Sequence, residues 1–106
     1  MGKEVVFTDE AFEAEAEMNV IEFNEFHRIV QILEETGSLR APFAEKIAGR
    51  ENLFAIRVRK GGNYRVFYAY DDGTMVWLLN GYEKKTESIP RREIQEAIRL
   101  KRKYGL

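Results

Sequence analysis

Between Thr36 and Leu53 the apolar residues of this chain change their period, and that change limits the fold more than any other feature. Before it, from about Val20 to Thr36, Phe23, Phe26, Val30 and Leu33 recur at spacings of three and four, with Ile29 and Ile32 widening the stripe. That is one face of an amphipathic helix, and Gly37 stands where a helix ends. After it, Leu53 to Arg59 alternates: Phe54, Ile56 and Val58 fall on one side, Ala55, Arg57 and Arg59 on the other, as in a half-buried strand. Lys60-Gly61-Gly62-Asn63 then supplies residues that tolerate a tight hairpin, and Tyr64 to Tyr70 reads as the returning strand. Asp71-Asp72-Gly73 turns the chain again into Met75 to Leu79, apolar on both sides and so expected inside a sheet.

The flanks complete the outline. Val5-Val6-Phe7 predicts a short strand, and Thr8-Asp9 can cap a following helix rich in Glu and Ala. This helix is expected to break from the second near Met18 and Asn19, a single bent helix being the alternative. Pro42 predicts an extended entry and a short helix through Ile47. Ser88 is a candidate cap for a last helix with Pro90 in its first turn, where Ile94, Ala97, Ile98 and Lys101 share one side. The expected domain, residues 1 to 106, is α+β: a short N-terminal strand plus a three-stranded antiparallel meander, an N-terminal helical hairpin and a C-terminal helix, with the helices on one face of the sheet.

Composition closes off several chemistries. The chain has 106 residues, enough for one core, and no cysteine, which removes disulfide scaffolds and thiol catalysis and points to a reducing cytoplasm. The first eight residues hold too short an apolar run for a signal peptide, and no stretch approaches membrane length. His27 is the single histidine and no acidic pair stands at ligand spacing, so neither a metal site nor a serine triad can be assembled; no cofactor is expected. His27 itself, close to Phe23 and Phe26 on a helix, reads as a satisfied helix-edge residue. Gly61-Gly62 joins two strands, which makes it a hairpin and not a phosphate loop.

The net charge of −1 conceals a division. Residues 1 to 52 carry 5 Lys/Arg against 12 Asp/Glu, and residues 53 to 106 carry 12 against 6. Arg57, Arg59 and Arg65 come from adjacent strands and Lys84-Lys85 leaves the third. Five cations could therefore converge on one surface of the sheet with Tyr64, Tyr68, Tyr70 and Tyr82 nearby. Guanidinium groups fork onto phosphate and aromatic rings stack on unpaired bases, so such a surface suits RNA; solvated arginines and packing tyrosines are the ordinary alternative.

From Leu39 to Tyr104 the chain resembles the HigB-like, phage-related toxins of the RelE/ParE superfamily. The segments that carry the resemblance are LRAPFAEKIAG at 39 to 49, LFAIRVRKGGNYRVFY at 53 to 68, DGTMVWLLNGYEKKT at 72 to 86 and the P-x-x-EI-x-x-A pattern from Pro90. The resemblance implies a ribosome-dependent, metal-independent endoribonuclease that cuts messenger RNA during translation. Its partner would be a HigA-like antitoxin of the XRE-type helix-turn-helix class, with operator DNA bound only through the antitoxin and no membrane involved. It implies catalytic roles for Arg57, Arg65, Lys84 and Lys85, the lysines as RNA ligands or proton carriers; Arg59, Lys60, Tyr68, Tyr82 and Tyr104 are the RNA-binding candidates beside them. Some relatives place a tyrosine near where Ile94 stands here and others use histidines this chain lacks; Tyr104 is the candidate substitute, with packing at a helix end as its ordinary role. Relatives also read basic overall, unlike this chain. A ParE-like poison of DNA gyrase and a catalytically silent interaction module are the other function classes that the resemblance leaves open.

Overall fold

The computed structural model describes residues 2–106; Met1, the first residue of the opening stretch, lies outside the described residues. The chain runs β1 (Glu4–Phe7), α1 (Asp9–Glu17), α2 (Val20–Thr36), β2 (Ala44–Lys46), β3 (Phe54–Val58), β4 (Tyr64–Tyr70), β5 (Met75–Glu83) and α3 (Arg91–Lys103). Five strands form one sheet in the order β1-β5-β4-β3-β2. The meander pairs antiparallel as expected, whereas β1 lies parallel to β5, so the sheet is mixed. A strand that leads into two helices before the meander returns alongside it is free to take that direction.

Local signals set the helix boundaries. Thr8 caps α1, its hydroxyl oxygen accepting from the Ala11 amide at 3.0 Å. The break near Asn19 is a capping box: the Asn19 side chain accepts from the Glu22 amide at 2.8 Å, and the Glu22 carboxylate accepts from the Asn19 amide at 3.1 Å. Gly37 ends α2 at φ 80°, a left-handed conformation that glycine adopts without a Cβ penalty. His27 sits at the helix edge as expected, its Nε2 2.5 Å from a Glu15 carboxylate oxygen and its ring beside Phe23.

Three expectations give way. The residues after Pro42 form strand β2 and not a short helix, because the open edge of β3 offers backbone partners to a segment too short to sustain helical bonding. Pro90, not Ser88, occupies the N-cap of α3 and makes no side-chain cap bond, while the Ser88 carbonyl accepts from the Thr86 hydroxyl at 2.7 Å. The helices also divide between the two faces of the sheet. On one face Phe26, Ile29 and Leu33 of α2, with Ala11 and Ala14 of α1, pack against Ile56, Val58, Val66 and Leu78. On the other, Ala97 and Leu100 of α3 pack against Ala55, Phe67, Ala69 and Leu79. Burying each large aliphatic or aromatic side chain contributes roughly 1.5–3 kcal/mol, so a strand apolar on both sides, as β4 is, favours a cover on each. Among the described residues no helix is long and apolar enough to cross a membrane.

Candidate active site

The register of the meander builds the site. Arg57 of β3 lies directly opposite Arg65 of β4, and Arg65 directly opposite Tyr82 of β5, so the three side chains form one row on one face. Tyr82 reaches that face through an irregularity. Val66 pairs with Gly81 and Tyr68 with Leu78, which leaves one extra residue on β5 between them. Before the bulge Val76 and Leu78 face α2; after it the parity reverses, so that Gly81 lies against Ala14 of α1 and Tyr82 joins the α3 side. Asn80, beside the bulge, donates from Nδ2 to the Glu93 carbonyl at 3.1 Å and ties the start of α3 to this end of the sheet.

The row stands just beyond the part of the face that α3 covers. Glu45 of β2, which sequence reading assigned to a helix and did not consider, comes over the same surface, its Oε1 3.4 Å from Arg65 Nε. Arg65 is 2% exposed, and its Nη1 donates to the Asn63 side-chain oxygen at 2.7 Å. Asn63 is fixed in turn, since its amide donates to a Glu83 carboxylate oxygen at 2.9 Å. Two arginines directly opposite each other repel. Burial pushes the Arg65 guanidinium below the usual arginine range, with Arg57 adding to the effect and Glu45 opposing it. Burial likewise pushes the Tyr82 hydroxyl up to about 12, against the opposing field of Arg65, so the hydroxyl keeps its proton at neutral pH.

Arg57 Nε, Arg65 Nε, Glu45 Oε1 and the Tyr82 hydroxyl are all buried without a hydrogen-bond partner. The Arg65–Glu45 contact is an attraction between charges without hydrogen-bond alignment. A polar atom in this condition costs about 1–3 kcal/mol, and four of them together on one patch is the arrangement expected of a surface whose partner is a ligand. Two guanidiniums and a hydroxyl donate, and one carboxylate accepts: the set fits an oxyanion that must also lose or gain a proton nearby.

The other sequence candidates scatter. Arg59 and Lys60 lie exposed past the end of β3. Lys84 is half-buried, its amide donating to the Asn63 carbonyl at 2.7 Å, and Lys85 lines a cleft of about 470 Å³ with Tyr82, Thr86, Pro90 and Arg92. Tyr64, Tyr68 and Tyr70 point to the opposite face: Tyr68 is 2% exposed, stacked at 5.3 Å on Phe54, and Tyr64 donates to Glu17 at 2.7 Å. Tyr104 stacks on Trp77 at the far end of β5 from Tyr82. Among the described residues no three His, Cys, Asp or Glu side chains are grouped to hold a metal.

The family model "Phage derived protein Gp49-like (DUF891)" matches residues 16–102. The sequence matches no curated protein. Among solved structures, a mutant of the E. coli toxin RelE in the free state superposes with a TM-score of 0.72 at 16% identity, over 93% of this chain and 97% of that one. The archaeal RelE of a RelE–RelB complex from Pyrococcus horikoshii gives 0.61 at 24% identity over 78% and 96%. YoeB from Staphylococcus aureus, solved as a dimer, gives 0.61 at 14% over 81% and 100%. The architecture is that of the RelE fold.

Proposed function

This chain belongs to the phage-derived Gp49-like family, and from that premise we propose that it is the HigB-like toxin of a toxin–antitoxin pair, a metal-independent endoribonuclease that cuts messenger RNA on the ribosome. The observation that carries the reading is the row Arg57–Arg65–Tyr82 with Glu45 over it and its four buried polar atoms that make no hydrogen bond. The fold shared with RelE and YoeB supports it.

In this reading the scissile phosphate lies on the two guanidiniums, which fork onto its non-bridging oxygens. The Glu45 carboxylate takes the proton of the ribose 2′-hydroxyl. The 2′-oxygen then bonds to phosphorus in line with the departing 5′-oxygen, which takes a proton from the Tyr82 hydroxyl. The products are a 2′,3′-cyclic phosphate and a 5′-hydroxyl end, and solvent returns the proton from Glu45 to Tyr82. The extra negative charge of the phosphorane sits among fixed donors in a largely dry site, where each donor is worth on the order of a hundredfold in rate and the base a further ~10²–10⁴. Lys85, and Lys84 beside it, hold the strand where it leaves the row, with Arg59 and Lys60 at the hairpin.

The partner on the opposite side is a HigA-like, XRE-type helix-turn-helix antitoxin, through which the complex meets operator DNA; both act in the cytoplasm. The helical hairpin supplies a surface for it, because Phe12, Val20 and Ile21 stand 54%, 71% and 57% exposed among carboxylates of α1 and α2. The RelE–RelB complexes among the structural relatives support an antitoxin partner.

Induced expression in a bacterial host without antitoxin, with transcript 5′ ends mapped within minutes, tests the reading. Cuts confined to translated frames are expected, and Arg65→Lys, which keeps the charge but loses the fork, should reduce them about a hundredfold. Arg65→Ala is the poorer variant because it strands Glu45 beside a void. Intact transcripts with arrested growth would transfer the function to a protein target such as gyrase, and normal growth would make the chain a silent binding module.

A further inference from the structure

A second cluster of arginines lies outside the row. On the outer side of α3, Arg92, Gln95, Arg99 and Arg102 recur at three, four and three residues, which places them along one stripe of the helix. Arg50, from the loop between β2 and β3, joins Gln95, Ile98, Arg99 and Arg102 around a cleft of about 270 Å³. Three guanidiniums thus line one small concavity. Arg99 is held in place by Glu96, its Nε and Nη2 donating to the two carboxylate oxygens at 2.6 and 3.0 Å, and it lies 3.7 Å from a Glu10 oxygen, so the unmatched cations of the cleft are Arg50 and Arg102. The side chains of Arg50 and Arg102 make no ion pair, ring contact or hydrogen bond among the described residues, and both residues are exposed.

We propose that this cleft, with the α3 stripe, binds the phosphate backbone of RNA at a site separate from the one that is cut. The inference rests on the reading of the chain as an RNA-directed protein. Three observations select this occupant. The stripe is continuous with the candidate active site, since Arg92 lines the cleft that also contains Tyr82 and Lys85, and from Arg92 to Arg102 it extends about 15 Å along the helix. Among the described residues the large exposed apolar ones, Phe12, Val20, Ile21 and Phe23, all belong to α1 and α2, so α3 offers a protein partner no large exposed apolar anchor, whereas a polar and cationic surface is what nucleic acid takes. No aromatic ring lines the Arg50–Arg102 cleft, so it meets phosphate and sugar and carries no preference for sequence. The site therefore fits structured RNA lying beside the cleaved strand, gripped through its backbone.

The test uses a short RNA hairpin carrying 2′-O-methyl groups throughout, which cannot be cut, and measures its affinity for the full chain across a salt series. In the double variant Arg50→Ala/Arg102→Ala the slope of log affinity against log salt should fall by about 2, close to one for each phosphate no longer neutralised, with thermal melting unchanged. The matched variant Arg28→Ala/Arg40→Ala, on α2 and in the loop after it, should leave the slope as it was. The inference is overturned if the wild-type chain does not bind the hairpin, if the slope survives the α3 variant, if both variants lower it equally, or if polyglutamate displaces the hairpin as well as free RNA does. Binding and cutting are read separately. If Arg65→Lys leaves transcript cleavage untouched, the active-site reading falls while the hairpin result stands.

Discussion

The two faces of the sheet are built from the same three strands to opposite ends. On the α1/α2 face, Ile56, Val58, Val66 and Leu78 meet Phe26, Ile29 and Leu33, and even the tyrosines are absorbed: Tyr64 finds Glu17, and Tyr68 is enclosed by Phe54 and Tyr70. On the α3 face, packing runs through Phe67 and Leu79 to the Tyr82 ring, and the row at that end leaves buried nitrogen and oxygen atoms without hydrogen bonds. One carboxylate oxygen each of Glu10 and Glu22, on α1 and α2, also lacks a hydrogen bond, but the arginine row gathers four such atoms on one patch, as the proposed site requires. Charge follows the same division. The helices over the first face carry an acidic surplus, and α3 over the second carries a basic one.

That contrast predicts where stability and activity separate. The largest effect is expected on the closed face. Phe26→Ala empties a fully buried site and should cost about 3–5 kcal/mol in denaturant unfolding, with cleavage falling only as the folded fraction falls. A smaller loss would mean that α2 can collapse into the gap and that the face is less tightly built than it looks. On the open face the larger effect should be on activity. Glu45→Gln removes the proposed base and should lower the cleavage rate at least a hundredfold at equal folded fraction, with melting also lowered because the buried Arg65 loses the charge that offsets Arg57. Full activity in Glu45→Gln would remove the base assignment and leave the arginines alone.

The smallest effect tests the boundary between the faces. Glu22 is buried beside Glu83 at the start of α2; burial holds its carboxyl above the usual carboxylate range, the neighbouring Glu83 adding to the rise and the Asn19 amide opposing it. A raised carboxyl means that the folded chain binds more protons than the unfolded one between the ordinary glutamate range and the raised value. Stability contributed by that proton is present at low pH and lost as pH rises through the raised value. Glu22→Gln keeps the capping box and removes the charge, so it should melt higher than wild type near neutral pH. The advantage should shrink as the pH is lowered into the ordinary carboxylate range. A constant difference at all pH values would show that burial does not raise the Glu22 carboxyl.

Much of this was readable from short-range chemistry. Thr8, Asn19 and Gly37 each mark a boundary through their own backbone or side-chain bonding, and the alternation of 53–59 and the Gly61 hairpin fix the meander. What escaped depends on neighbours distant in sequence. Ala44–Lys46 has no period of its own and becomes a strand because β3 has a free edge, which is why Glu45 was missed. The division of the helices had a signal: Tyr64, Val66 and Tyr68 alternate with Arg65, Phe67 and Ala69, and both sets are too apolar for a solvated face. The same parity separates Tyr64, Tyr68 and Tyr70 from Arg65, so they could have been assigned to the core. Tyr82 is different, because a one-residue bulge that no local pattern announces turns it onto the arginine row.

The hairpin that carries Asn63 does not hang free. Asn19, at the head of α2, donates from its side chain to the Gly61 carbonyl at 2.8 Å, and Gly61 at φ 80° lies so close to Ile21 that a Cβ there would meet it at 2.7 Å. The turn is thereby moored to a helix that also forms the core. Arg65 is held by Asn63 within that turn with its rotamer already chosen, so on the proposed reading the entropy of immobilising a long flexible cation belongs to folding instead of to each encounter with RNA.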